Sequence, residues 1–224
     1  MKINRTLILR SKENEVSLEY SKLCAESCEK HGLPYEFVDG IYGLDCDSAF
    51  ESVGAFKQPD YTNKPGHCCC HSAHIRCWQR IIEIGEPCII LEHDAIVLGD
   101  ITNIDIPDMA IVTFGHRVAN PNEYKPIKPA DKLVPVERTM GVHACAMTPK
   151  TAEWLNEDAK NNGVGIGNDA WLMQQKSGLP LFVCDPPQIV CWVRQCTTNI
   201  KRGQGDLRNF PESLTNNWKA GLKQ

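Results

Sequence analysis

The sequence predicts an α/β fold built on a parallel sheet. Three observations carry that expectation: a strand, a helix and a second strand follow one another at the N-terminus, helical and strand periods alternate along much of the remaining chain, and an acidic pair closes an apolar strand. Carboxylates at the carboxyl end of a strand face the crevice where such sheets take their ligands.

Thr6 to Leu9 read as the first strand and Arg10 to Glu15 as a polar loop. From Ser17 to about Lys30 a stripe of Tyr20, Leu23, Cys24 and Cys28 predicts a helix, stopped by Gly32 and Pro34 before Tyr35 to Asp39 resume as a strand. Residues 41–66 are rich in Gly, Asp, Ser, Pro and Asn without a sustained period, and read as a loop-dominated insertion. Cys70 to Ile84 form the next helix, with His74, Cys77, Trp78, Ile81 and Ile82 on one side, ended by Gly85 and Pro87. Cys88 to Leu91 then make a buried strand, closed by Glu92 and Asp94.

Ala110 to Phe114 form another strand. His116 to Arg138 hold four prolines and opposed charges, the composition of a long mobile loop. Thr148 caps a helix with Pro149 at its first position, its stripe is Ala152, Leu155 and Ala159, and Asn162-Gly163 stop it. A second helix starts at Asn168 with Asp169 in its first turn, and Leu181 to Cys184 form the last strand. There is no internal repeat.

The chain of 224 residues is long enough to bury its own core, and a formal net charge of -4 gives no global attraction to nucleic acid or anionic membrane. The first apolar segment is too short for a signal peptide, and no run approaches the roughly 18 apolar residues of a membrane span, so the expectation is a soluble cytoplasmic protein. Its twelve cysteines are then expected to be reduced and structural. The run His67 to His71, HCCCH, is a poor zinc motif because three adjacent cysteines do not converge readily on one ion.

Several blocks, in order, resemble glycosyltransferase family 25, the lipopolysaccharide and collagen-type sugar transferases. They are Thr6 to Ser11, TLILRS; Cys69-Cys70-His71-Ser72-Ala73-His74 with Trp78; Leu91-Glu92-His93-Asp94-Ala95; GVHACAMTPKTAEWL from Gly141; and Asn168-Asp169-Ala170-Trp171-Leu172. Two positions depart from the family pattern: Cys69 stands for its glycine, and His93 for the middle acid of its Leu-Glu-Asp-Asp-Ala block.

The resemblance implies a GT-A-like nucleotide-sugar-binding fold with a mixed, mostly parallel central sheet flanked by helices over residues 1–200, and a tail, 201–224, packed on or near the active-site face. It implies transfer of a sugar, with inversion, from a nucleotide-diphosphate sugar (a UDP-sugar first) to a hydroxyl of a glycan, a protein or hydroxymethylated DNA. Mn2+ or Mg2+ is the expected cofactor, held by Asp94 and Glu92, with Asp169 as general base. Leu9, Arg10, Ser11 and Asp39 are donor-binding candidates by their place at the sheet edge, and His74 by its family position. His93 either substitutes as a ligand or binds the donor. His143 and Cys145 read as acceptor-side residues or as buried strand. Two other functions compete: a catalytically inactive sugar-nucleotide-binding protein, suggested by His93, and a small zinc-dependent interaction protein around His67 to His74.

Overall fold

The computed structural model describes residues 1–61, 64–118, 126, 128–139, 141–173 and 177–192. The expected tail 201–224, with Lys201, Arg202 and Arg208, lies outside the described residues.

The strands are β1 (Arg5–Arg10), β2 (Tyr35–Asp39), β3 (Cys88–Glu92), β4 (Ala95–Val97), β5 (Ile111–Thr113), β6 (Gly115–Val118), β7 (Lys132–Val136), β8 (Ala144–Met147), β9 (Leu181–Asp185) and β10 (Ile189–Trp192). The helices are α1 (Glu15–Lys30), α2 (Cys46–Glu51), α3 (Pro65–Ile84), α4 (Pro149–Asn161) and α5 (Asn168–Met173). Seven strands form the main sheet in the order β2-β1-β3-β8-β5-β9-β7, and β4-β10-β6 form a second, smaller one. In the main sheet β2, β1, β3, β5 and β9 run one way, while β8 and β7 run against them. This is the mixed, mostly parallel sheet that the resemblance implies. The carboxyl ends of β1, β2 and β3 therefore share one edge, and β8 enters the sheet from that same edge.

Both faces of the sheet are covered, which is why its strands read as unbroken apolar runs. Leu7, Leu9, Cys88 and Ile90 point into one core with α2, α3, α4 and α5, while Ile8, Ile89 and Leu91 point into the other with α1 and the second sheet. Ile89, Ile90 and Leu91 are wholly buried, each contributing about 1.5–3 kcal/mol. The strand is thus anchored well enough to carry charged groups at its tip.

Asn14 caps α1 by accepting from the Ser17 backbone N–H at 2.9 Å. The buried face of α1 is Ser17, Ser21, Cys24, Ala25, Ser27 and Cys28, and the expected stripe member Leu23 is instead 39% exposed. Small side chains let the helix lie close to the sheet and to β4, whose Val97 N–H donates to Ser27 Oγ at 3.0 Å. Helix α3 starts one turn and more before its expected first residue, with Pro65 at its first position, and ends at Gly85, where φ of 73° suits a residue without a Cβ.

Two expectations fail. The insertion at 41–66 contains α2, whose N-cap Asp45 accepts from Ser48 N–H at 2.9 Å, and Cys46 forms a disulfide with Cys68 of α3. Reduced thiols throughout are therefore wrong: the short segment lacks a helical stripe because it is held by a cap and a cross-link rather than by an amphipathic face. Nor is His116 to Arg138 one long loop, since β6 and β7 occupy its two ends. Paired edge strands such as β7 tolerate a proline, here Pro135, which the composition alone reads as loop.

Candidate active site

The tip of β3 is the centre of the site. Glu92 continues the ladder, its backbone N–H donating to the His143 carbonyl at 2.9 Å, while its side chain emerges 27% exposed. Its Oε1 lies 3.2 Å from Nε2 of His74, a wholly buried residue of α3. Burial pushes the Glu92 carboxyl up, but the hydrogen bond and charge of His74, helped by His143 and His93, outweigh it and hold the group at about 2. Glu92 is thus an ionised carboxylate in a sheltered place.

The chain turns at His93 and Asp94 before entering β4. His93 is half-buried, and Asp94 Oδ1 is buried. Cys24 of α1 has its thiol pushed up by its hydrogen bond to Cys28 and by burial, with the charges of Cys28 and Asp94 adding to the push. Asp94 therefore stands within electrostatic reach of Cys24 on α1.

Cys70 and His74, four residues apart on α3, meet Glu92 so that one ligand atom from each lies within 4.8 Å of the others. Among the described residues this is the group of three or more His, Cys, Asp and Glu side chains whose geometry suits an ion, and Asp94 is not in it. Sequence reasoning set Cys70 beside His74 in the helix block but did not bring it to Glu92, which lies on another element. Next to this group His71, also wholly buried, packs against Trp78 and Trp171 with ring centroids 6.1 and 5.3 Å away. Burial, and then the His74 charge, push its imidazole down to about 3, so it is neutral.

Beside Glu92 the ends of β1 and β2 present a basic cluster. Arg10 Nε donates to Asp39 Oδ1 at 3.0 Å, Lys12 Nζ lies 2.6 Å from Asp39 Oδ2, and Arg76 Nη1 donates to the Asp39 carbonyl at 2.8 Å. Burial raises the Asp39 carboxyl, but Lys12 and Arg10 hold it below its ordinary value. The Arg10 guanidinium also stacks 4.0 Å over the Phe37 ring. Two cations meet the Asp39 carboxylate and a third its backbone carbonyl, a gathering the sequence did not reveal because Lys12 and Arg76 come from a loop and a helix far apart in the chain. Leu9 is buried between Val38 and Glu92, with which it pairs in register. Ser11 is buried at the entrance to α1, its N–H donating to Ser17 Oγ at 2.9 Å.

Asp169 is exposed in the first turn of α5, which Trp171 fixes against Trp78 of α3, centroids 5.7 Å apart. Cys145, on β8, is pushed up to about 12 by burial first and then by the charges of Glu92 and Asp169. The Cys145 thiol thus feels the charge of both carboxylates. Gly115 runs against the same corner: a Cβ there would stand 2.2 Å from His143 Nε2. A cavity of about 240 Å³, lined by Lys2, Arg5, Thr6 and Thr102 among others, lies at the opposite end of β1 and takes no part.

Residues 16–107, which contain α1, α3, Cys70, His74, Glu92 and Asp94, match the model of glycosyltransferase family 25 (LPS biosynthesis protein). Over those residues the chain is similar to that family. No curated protein sequence matches the chain. Among solved structures, a glycosyltransferase involved in glycosylation of the major capsid of PBCV-1 is similar at 15% identity and a TM-score of 0.36, over 68% of this chain and 63% of that one. The chain thus spans less than two thirds of that protein's length. A197 from STIV is similar at 11% identity and 0.43, over 80% and 81% of the two chains. A Drosophila β-1,4-galactosyltransferase 7 variant, in complex with manganese, UDP-Gal and xylobiose, is similar at 9% identity and 0.45, over 92% and 80%. No helix among the described residues is long and apolar enough to cross a membrane.

Proposed function

We propose that the chain is a metal-dependent glycosyltransferase that moves a sugar from a nucleotide-diphosphate sugar, a UDP-sugar first, to an acceptor hydroxyl with inversion. The observation that carries this reading is that an ionised Glu92 ends β3 at the sheet edge where Arg10 ends β1 and Arg10, Lys12 and Arg76 gather on Asp39 of β2, within and beside the residues similar to family 25. A carboxylate held at about 2 offers the anionic oxygen that a hard divalent ion requires, so the acidic tip fits Mn2+ or Mg2+ held by Asp94 and Glu92. When bound, that ion offsets the charge of the departing diphosphate.

The chain's own residues supply the rest. Arg10, Lys12 and Arg76 attract the anionic donor, with Leu9, Ser11 and Asp39 at the base and ribose end and His74 and His93 beside the diphosphate. The acceptor is a glycan, a protein hydroxyl or hydroxymethylated DNA.

The test is a thermal-shift screen of nucleotide sugars with and without Mn2+, followed by transfer assays on those three acceptor classes, all repeated with Asp94→Ala. The expected outcome is a Mn2+-dependent rise in melting temperature with one donor class, and a fall in turnover of about 10²-fold or more in the variant with its melting temperature unchanged. Undiminished transfer by Asp94→Ala removes the metal role, and binding without any transfer favours the inactive sugar-nucleotide binder.

A further inference from the structure

The run Cys68-Cys69-Cys70 is resolved by the fold into three separate fates. Cys68 is tied to Cys46 in a disulfide, Cys69 turns its Sγ to the Leu44 carbonyl at 3.5 Å, and Cys70 faces Glu92 and His74. We propose that Cys70, His74 and Glu92 form a site for a divalent ion of the zinc class, which shares Glu92 with the oxygen site of Glu92 and Asp94 but takes its other two ligands from α3. It does not rest on the sugar-transfer reading.

The donor set decides the class. A thiolate sulfur, an imidazole nitrogen and a carboxylate oxygen together suit zinc and its borderline neighbours, whereas Mn2+ and Mg2+ favour oxygen throughout. The geometry agrees. Ligands about 2.0–2.3 Å from one tetrahedral ion stand about 3–4 Å from each other. His74 Nε2 and Glu92 Oε1 already stand 3.2 Å apart, and all three ligand atoms lie within 4.8 Å. Closing the triangle then takes a shift of about 1 Å at most in the side chains.

Burial gives the site a floor and a mouth. His74 is wholly enclosed and fixed by α3, while Cys70 and Glu92 are half-buried, so an ion enters past them and keeps a fourth position open to solvent. Binding replaces the S–H bond of Cys70 by a sulfur–metal bond and releases that proton to water. The Cys70 thiolate and the Glu92 carboxylate then balance the two positive charges, so the buried ion leaves no net charge. An ion here would tie α3 to the tip of β3 and fix the direction in which Glu92 presents its other oxygen.

Cobalt reports the site directly. The full chain, stripped with chelator and titrated with Co2+ under nitrogen, is expected to take up one equivalent with a thiolate-to-cobalt charge-transfer band in the near ultraviolet, which Zn2+ abolishes by displacement. Cys70→Ser is expected to remove the band and weaken Co2+ binding about 10-fold or more, whereas Cys69→Ser and Asp94→Asn keep both. Far-ultraviolet dichroism of each variant confirms that it is folded, and Glu92→Gln, a change of one atom, serves as a second ligand variant with weakened uptake. A Co2+ spectrum without the band, a band that survives Cys70→Ser, or one lost with Asp94→Asn overturns the proposal. Donor turnover with Mn2+, measured separately, reports on the sugar-transfer reading and does not enter this result.

Discussion

Helices α1 and α3 cover opposite faces of the same sheet, yet they bury very different chemistry. The face of α1 is made of Ser, Ala and Cys, small groups that bring backbone close to backbone. That of α3 carries His71, His74, Cys77, Trp78 and Ile81, so two imidazoles and a large indole are sealed against the strands. Apolar packing alone does not call for buried imidazoles, because each must be neutral or partnered. His71 meets that condition by staying neutral and His74 by pairing with Glu92. The difference separates a helix that fills space from one that also supports a site.

The comparison breaks first at the chemistry. Asp169→Asn, on the helix that packs against α3, should lose about 10²–10⁴-fold in transfer while keeping donor affinity; loss of affinity and fold together would instead make Asp169 only a helix-start residue. The next effect is on packing. Trp78→Ala on α3 should cost about 3–5 kcal/mol, against no more than about 0.5 kcal/mol for Leu23→Ala on exposed α1 surface, both read from denaturant midpoints. Equal losses would erase the distinction between the two helices.

The disulfide sharpens the α3 side further. Cys46→Ser opens a cross-link spanning 22 residues, an expected loss of about 3 kcal/mol visible as a lowered melting temperature and absent when wild type and variant are compared under reductant. The smallest effect lies on the exposed side of α3, where Arg80 Nη2 donates to Glu36 Oε2 at 3.1 Å and its hydrogen bonds hold the Glu36 carboxyl below its ordinary value. A depressed carboxyl stabilises the fold above the unfolded-state value, about 4.3 for a glutamate, and that contribution fades as pH falls through the folded value. Arg80 is 41% exposed, so the pair is worth less than about 1 kcal/mol. Glu36→Gln should flatten the stability profile below that pH by no more than this, as followed by urea midpoints.

Much of the scaffold was legible in the sequence. Thr148-Pro149 and the stripe Ala152, Leu155, Ala159 gave α4 with its cap, and the apolar run from Cys88 gave β3, because caps and periods are local properties. The misses have a common cause. Helix α2 and its bond to Cys68, and the pairing of β7 with β9, depend on partners distant in the chain. Leu23 was placed in the core by its type, and exposed by the rotation of α1 that brings Ser21 and Cys24 against the sheet.

The sequence by itself determined β1, β2, β3, β5 and β9 with α1, α3, α4 and α5, the acidic tip at Glu92 and Asp94, and the likeness to family 25, since each is written in neighbouring residues. Tertiary structure alone decided that His74 and Cys70 meet Glu92, and that Arg10, Lys12 and Arg76 gather on Asp39. A strand's period fixes which face a side chain takes, but only the packing of helices on that sheet fixes what waits there to meet it.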